Sequence, residues 1–394
     1  MVNRYDYLIV GGGMTAEAAV RGLREIDPAG SIGVISAEQH PPYNRPPLSK
    51  GLWKGKPFEK IWRAPDGLAA ELHSGRTAQA IDPVGKQVND DEGTVYTYRK
   101  LLLATGGKPR RLPFGGEEVI YFRTLDDYQR LRSLSEQGGR FVVIGGGFIG
   151  SEIAAALAMT GREVSMFFPE RGIGALLFPP DLSVFLNDYY REKGVEVGAG
   201  ETVAGADRRG EDLFMRTAAG MEASARGVIA GVGILPDVAL AQAAGLSVEN
   251  GIVVDESLRT SQPDIYAAGD VASFHNPALG QRLRVEHEDN ANAMGRAAGQ
   301  AMAGAQVRYD HLPYFYSDLF DLGYEAVGIL DPRLETFSDW REPYRKGVIY
   351  YLDQGRVRGV ILWNVWDQVE AARRLIAEPG PFKASDLKGR LPAT

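Results

Sequence analysis

Two kinds of hydrophobic patterning run along this chain, and they predict different architecture in its two parts. Over roughly the first 300 residues the apolar positions come as short unbroken runs closed by glycine. Such runs suit strands buried on both faces of a parallel sheet. The run Tyr7–Val10 opens on Gly11-Gly12-Gly13, passes into an alanine-rich helical stretch to about Arg24, and is followed by a second apolar run, Ile32–Ser36. The same phrase recurs as Phe141–Ile144, Gly145-Gly146-Gly147, a helix over Ser151–Thr160 stopped by Gly161, and a strand Glu163–Phe168. Each is a βαβ unit, and the repeat is the most informative feature of the sequence. Lys100–Ala104, Gly251–Asp255 and Ile265–Ala267 read as further strands, the last driving into a Gly269-Asp270 turn. From about Tyr309 the pattern changes to aromatic-rich alternation, as in Gly347–Leu352 and Val357–Trp363, with a helix from Asp367. That predicts an antiparallel sheet and a helix, an α+β domain.

The glycine runs bring in chemistry. A lone GxGxxG arises by chance, but each run here follows an apolar strand, opens a helix and has an acid roughly 20–25 residues on, Glu38 in the first and Glu170 in the second, as a dinucleotide fingerprint requires. Gly11, Gly13, Met14, Thr15 and Ala16 in the first unit, and Gly145, Gly147, Phe148, Ile149 and Gly150 in the second, therefore read as nucleotide-binding positions. The glycines admit a pyrophosphate to the helix amino terminus, and the acid takes the ribose hydroxyls. The predicted fold class is α/β, with two Rossmann-like dinucleotide-binding domains and a carboxy-terminal α+β domain.

Composition narrows the classes of function. A net charge of −7 opposes binding to a phosphate backbone, so no nucleic-acid role is expected. There is no cysteine, which removes a redox disulfide, an iron–sulfur cluster, a thiol nucleophile and a cysteine zinc site; no metal is expected, and electron traffic needs an organic cofactor. A strand begins within a few residues of the start, with no basic-apolar leader before it, and no apolar run reaches membrane-spanning length. A cytoplasmic location, with no membrane span, is the expectation.

Several longer segments resemble one family along nearly the whole chain: GGGMTA, PPYNRPPLSKGLW (Pro41–Trp53), LLLATGGKPR (Leu101–Arg110), VIGGGFIGSE (Val143–Glu152), FFPERG (Phe167–Gly172), IYAAGD, RVEHEDNA (Arg284–Ala291), YFYSDLFDLGYEAVG and VILWN (Val360–Asn364). In this order and spacing they resemble the apoptosis-inducing-factor-like branch of the pyridine-nucleotide flavoprotein reductases, near the ferredoxin and rubredoxin reductases. The resemblance implies a glutathione-reductase-like arrangement. An FAD domain (1–112 and 239–308) is interrupted by an NAD(H) domain (113–238) and followed by a carboxy-terminal domain (309–394). Where that family often carries two or three histidines after the Glu at position 286, this chain has only His287 there, followed by Glu288, and Tyr316 stands where a tryptophan precedes Ser-Asp.

The resemblance implies roles residue by residue. Arg45 and Lys50, in a loop stiffened by Pro41, Pro42, Pro46 and Pro47, lie along FAD and beside its reacting edge. Lys50 and Glu152 form a buried ion pair, and Phe148 is a lid on the nicotinamide. Ala104, Thr105, Gly106, Gly269, Asp270, Glu286, His287, Ala291 and Trp363 line the FAD site, and Gly233 the NAD site. His287 and Tyr316 join Lys50 and Glu152 as the catalytic set, with hydride transfer depending on alignment more than on acid or base chemistry. Glu170 favours NADH over NADPH, although Arg171 beside it could pair with a 2′-phosphate. The expected activity is hydride transfer from NADH to FAD, with electrons passed to a ferredoxin- or rubredoxin-type protein, a quinone or a small oxidant, in a monomer or homodimer. The alternative is an NADH-responsive redox sensor whose reduced form changes conformation or oligomeric state.

Overall fold

The computed structural model describes residues 2–64 and 66–392, so the outermost positions of the first and third expected domains lie outside the described residues. The chain divides into two compact units. One comprises Met1–Asn44, Glu59–Lys108 and Leu235–Pro313; the other comprises Arg45–Phe58, Pro109–Ile234 and Tyr314–Thr394.

The first unit is built on a seven-stranded sheet in the order Glu71–Ser74, Ile32–Ser36, Val2–Val10, Val95–Leu103, Gln87–Asp90, Ala78–Asp82, with Ile265–Ala267 paired to the Val95–Leu103 strand. The strands that carry the unbroken apolar runs are parallel, and Leu8, Ile9, Leu101, Leu102 and Leu103 have no exposed surface. Helices Met14–Ile26 and Glu288–Met302 belong to this unit. The strand expected over Gly251–Asp255 is only Ile252–Val253. It is bounded by Gly251 at φ 124° and by Asp255, whose carboxylate folds back onto the amides of Ser257 and Arg259.

The second unit repeats the βαβ phrase in a five-stranded parallel sheet, ordered Val195–Ala199, Glu163–Phe168, Arg140–Ile144, Gly227–Ala230, Val119–Ile120. Its fingerprint helix runs Phe148–Met159, starting three residues before the expected Ser151, because the glycine run ends directly in the first helical turn. The alternating carboxy-terminal runs form a five-stranded antiparallel sheet, ordered Tyr314–Leu319, Leu322–Gly328, Arg356–Trp363, Lys346–Asp353, Glu335–Glu342. The following helix is Val369–Ala377; Asp367, its expected start, is left-handed at φ 62° and cannot begin it.

The sequence places the proline loop in the FAD domain, whereas Arg45–Phe58 packs with the second unit. Trp53 is the reason: it is buried, meets Tyr128 edge-on at 5.7 Å and lies under the Arg132 guanidinium at 5.3 Å, while its indole nitrogen donates to the Leu48 carbonyl at 2.7 Å. Among the described residues no helix is long and apolar enough to cross a membrane, and no group of His, Asp or Glu is arranged to hold a metal.

Candidate dinucleotide and redox site

The first glycine turn is held between two neighbouring strands: the Gly11 amide donates to the Ile35 carbonyl and the Ala104 amide to the Val10 carbonyl, both at 2.8 Å. Gly11 has φ 112°, and a Cβ there would lie 2.2 Å from the Ala104 carbonyl oxygen. Only glycine fits. The helix that follows has Gly13 at its N-cap and no side-chain cap, so its first-turn amides are left to an anion, with the helix dipole favouring one. Met14 is half-buried at that terminus; Thr15 is buried and meets the Gly269–Val271 turn. Ala16 has no exposed surface and lies in the core beneath the turn. Glu38 lies just beyond the second strand, half-buried, and accepts from the Tyr43 hydroxyl at 2.5 Å. These features fit FAD: an uncapped helix end for its pyrophosphate and a carboxylate for its ribose.

The remaining expected FAD positions in this unit sit on loops at strand ends and at one helix start. Thr105 donates its hydroxyl to the Asp237 carbonyl at 2.8 Å, and Gly106 accepts from the Asp237 amide at 2.9 Å. Asp270 is half-buried, its carbonyl accepting from Arg284, which also pairs with Glu286 at 2.8 Å. His287 is the N-cap residue of the Glu288–Met302 helix, and its carbonyl accepts from the amide of the buried Ala291. Burial pushes the His287 imidazole down to about 4, against the opposing pull of Asp270 and Asp289. The ring is neutral near pH 7, which suits binding rather than proton transfer.

The second unit reproduces the first turn bond for bond. The Gly145 amide donates to Phe167 at 2.9 Å, the Gly231 amide donates to Ile144 at 2.8 Å, and a Cβ on Gly145, at φ 110°, would lie 2.4 Å from the Gly231 carbonyl oxygen. Gly147 is an N-cap without a side-chain bond. Gly150 allows the helix to approach the strand, since a Cβ there would sit 1.9 Å from the Gly145 oxygen. Ile149 is half-buried beside it, as is Glu170 beyond the second strand, where its carbonyl accepts from the Gly200 amide. Gly233 is exposed and accepts from the Arg110 amide. Gly231, which stands where Ala104 stands in the first unit, was missed from sequence. The repeat carried the signal, because Ala104-Thr105-Gly106 is matched by Gly231-Val232-Gly233.

Glu152 is the hub of the second unit's candidate chemistry. Its carboxylate is 3% exposed and faces the Lys50 ammonium at 2.8 Å. The same Oε1 also accepts from the Ser317 hydroxyl at 2.6 Å, and Oε2 accepts from the Ser49 hydroxyl at 2.5 Å. Lys50 lies 5.2 Å from the Tyr316 ring centroid, so three of the four expected catalytic residues meet here: Lys50, Glu152 and Tyr316. Phe148 meets Phe315 edge-on at 5.1 Å. Burial, with the Glu152 charge adding to it, holds the phenols of Tyr190 and Tyr324 well above their usual range, so both stay protonated beside the pair. Neither serine was anticipated. Hydroxyls are common, and nothing in their spacing marks them.

Two expected FAD positions make hydrogen bonds within the second unit. Trp363 has no exposed surface, stacks on Tyr324 at 5.6 Å and donates its indole nitrogen to the Tyr344 carbonyl at 3.0 Å. Both faces of its strand are covered here, since Ile361 and Leu362 have no exposed surface either. Arg45, expected along FAD, donates to the Arg123 carbonyl at 2.7 Å within the second unit.

Comparison with known proteins spans both glycine turns. Residues 5–295 match the family described as pyridine nucleotide-disulphide oxidoreductase, and residues 298–343 and 337–378 match the carboxy-terminal domain of mitochondrion-associated apoptosis-inducing factor. The chain is 33% identical to apoptosis-inducing factor 1 of Dictyostelium discoideum, covering 95% of this chain and 79% of that protein. It is 32% identical to putidaredoxin reductase of Pseudomonas putida, covering 97% and 94%. Among solved structures, the covalent putidaredoxin reductase–putidaredoxin complex superimposes with a TM-score of 0.90 at 30% identity, covering 96% of this chain and 94% of that one.

Proposed function

The chain belongs to the pyridine nucleotide-disulphide oxidoreductase family and is an FAD-dependent pyridine nucleotide oxidoreductase of the ferredoxin-reductase type; from that premise we propose that it oxidises NADH in preference to NADPH and passes the electrons to a ferredoxin-type iron–sulfur protein. The observation that carries the reading is the matched pair of glycine turns, Gly11 against Ala104 and Gly145 against Gly231, each opening an uncapped helix. Two dinucleotides, one per unit, are what such a pair serves. Bound FAD supplies a carrier that takes a hydride and releases electrons singly or in pairs.

In this reading the first fingerprint, with Glu38, Ala104 to Gly106, Gly269, Asp270, Glu286, His287 and Ala291, holds FAD. Gly145 to Gly150, Glu170, Gly231 and Gly233 hold NADH. Lys50, Glu152, Tyr316 and His287 are the catalytic set, with the Lys50 ammonium and the Glu152 carboxylate paired at 2.8 Å. The acceptor class rests on the relatives, which include a ferredoxin–NAD(+) reductase component from Burkholderia cepacia as well as putidaredoxin reductase. A quinone or a small oxidant is the competing outcome.

Glu170 opposes a 2′-phosphate by about 1–4 kcal/mol per charge pair at contact distance. Reduction of the yellow protein by NADH in anaerobic stopped flow is therefore expected at least about tenfold more efficient than by NADPH, with Glu170→Ala narrowing the gap. Mixing the reduced protein with a ferredoxin, a rubredoxin, a quinone and dioxygen ranks the acceptors. Equal use of the two nucleotides, or fastest re-oxidation by dioxygen or quinone, would overturn the respective halves of the proposal.

A further inference from the structure

The Lys50–Glu152 pair is joined by a feature that charge alone does not require. Coulomb attraction draws an ammonium to a carboxylate but fixes no direction, and lysine's four-carbon stem leaves its head free to choose either oxygen. In this structure the choice is made. Oε1 receives both Lys50 Nζ and the Ser317 hydroxyl, while Oε2 is taken by the Ser49 hydroxyl. The three donors come from two separate parts of the second unit, Lys50 and Ser49 from the proline-stiffened loop and Ser317 from the edge strand Tyr314–Leu319, with Glu152 itself on the fingerprint helix Phe148–Met159. Ser317 has no exposed surface and Ser49 is 5% exposed, so water is a poor substitute for either hydroxyl.

We propose that Ser49 and Ser317 are positioning residues that lock the Glu152 carboxylate in one orientation and thereby hold the Lys50 ammonium for hydride transfer. The inference rests on the proposed function in taking that pair as part of the reaction. Neither serine carries charge, so replacing one leaves the net charge of the cluster unchanged and frees only the rotation of the carboxylate. A hydrogen bond between a hydroxyl and a buried carboxylate is of the strong, charge-assisted kind, and each is expected to be worth about tenfold in rate. The loop is held independently by Trp53 against Tyr128 and by the Lys54–Asp318 pair at 3.0 Å, so it stays in place when the Ser49 contact is removed.

The test compares Ser49→Ala, Ser317→Ala and the double variant, each also made on Glu152→Gln. In single-turnover reduction by NADH each single variant is expected to slow the limiting rate about tenfold, with the Kd for NADH changed less than about twofold. On the Glu152→Gln background the serine effects should vanish, since residues acting through one group are not additive. A second readout needs no turnover: difference infrared spectra against Glu152→Gln isolate the buried carboxylate stretch, which should shift in each serine variant. Rates and stretch unchanged in the serine variants would overturn the proposal, as would serine effects that persist at full size without Glu152. If the double variant fails to fold, Ser49→Ala at the loop position carries the comparison alone. Failure of the parent protein to be reduced by NADH would overturn the proposed function instead, and the infrared shift would still decide whether the serines orient Glu152.

Discussion

A carboxylate only 3% exposed has lost nearly all its water, and Glu152 replaces it with one ammonium and two hydroxyls. The cost of disturbing that arrangement is asymmetric. Removing Lys50 leaves a buried charge with two neutral donors, which should destabilise the protein by about 3–5 kcal/mol, whereas removing both charges costs less because nothing is left unpaired. Thermal denaturation of Lys50→Ala, Glu152→Ala and the double variant measures this. The double variant is expected to melt above Lys50→Ala; a lower midpoint, equal to the sum of the two losses, would mean that the pair is not coupled. The same contacts explain why sequence could anticipate the pair but not its setting. All four stand inside long motifs, but Lys50 and Glu152 are marked there by their charge, while Ser49 and Ser317 became visible as partners only when a loop, a helix and an edge strand were brought together.

At the scale of elements, the two glycine turns are geometrically alike but are assigned to different ligands, and this makes them separable. At both Gly11 and Gly145 a methyl group would collide with a backbone carbonyl at 2.2 and 2.4 Å, and both have φ values that an L side chain resists. Gly11→Ala should therefore yield protein with little or no bound flavin. Gly145→Ala should purify yellow and be reduced by dithionite, yet respond to NADH only at much higher concentration. Flavin content by absorbance and an NADH titration check both; a Gly145→Ala protein that loses its flavin would reverse the assignment. These turns were legible because unbroken apolar runs, glycine and a helix follow one another within a few residues. Long-range placement was less so. Nothing local tells that Arg45–Phe58 packs through Trp53 onto Tyr128, or that Trp363 faces inward beneath Tyr324, because both depend on which neighbouring surface is there to cover an aromatic ring.

At the scale of the whole molecule, the family's own description includes a disulphide, and this chain of 394 residues contains no cysteine. Family members with a dithiol can store electrons at sulfur as well as on the flavin, whereas here the chain supplies no second redox centre. Among the described residues there is also no cluster of side chains arranged to hold a metal. With no cysteine there is no dithiol to hold electrons, so the expected capacity is the two electrons of one FAD. Anaerobic titration with dithionite should accordingly reach its end point at about one two-electron equivalent per bound FAD, with no further uptake. Thiol chemistry gives an independent check: N-ethylmaleimide and arsenite should leave the rate of reduction by NADH unchanged, and pre-incubation with dithiothreitol should not raise it. An end point near two equivalents would reveal a second electron store that neither the sequence nor the described fold contains. A chain with this capacity suits acceptors that take one electron at a time only if two acceptor molecules are served in turn. With a one-electron iron–sulfur acceptor, re-oxidation should therefore consume two acceptors per reduced flavin, a ratio that rapid mixing can count directly.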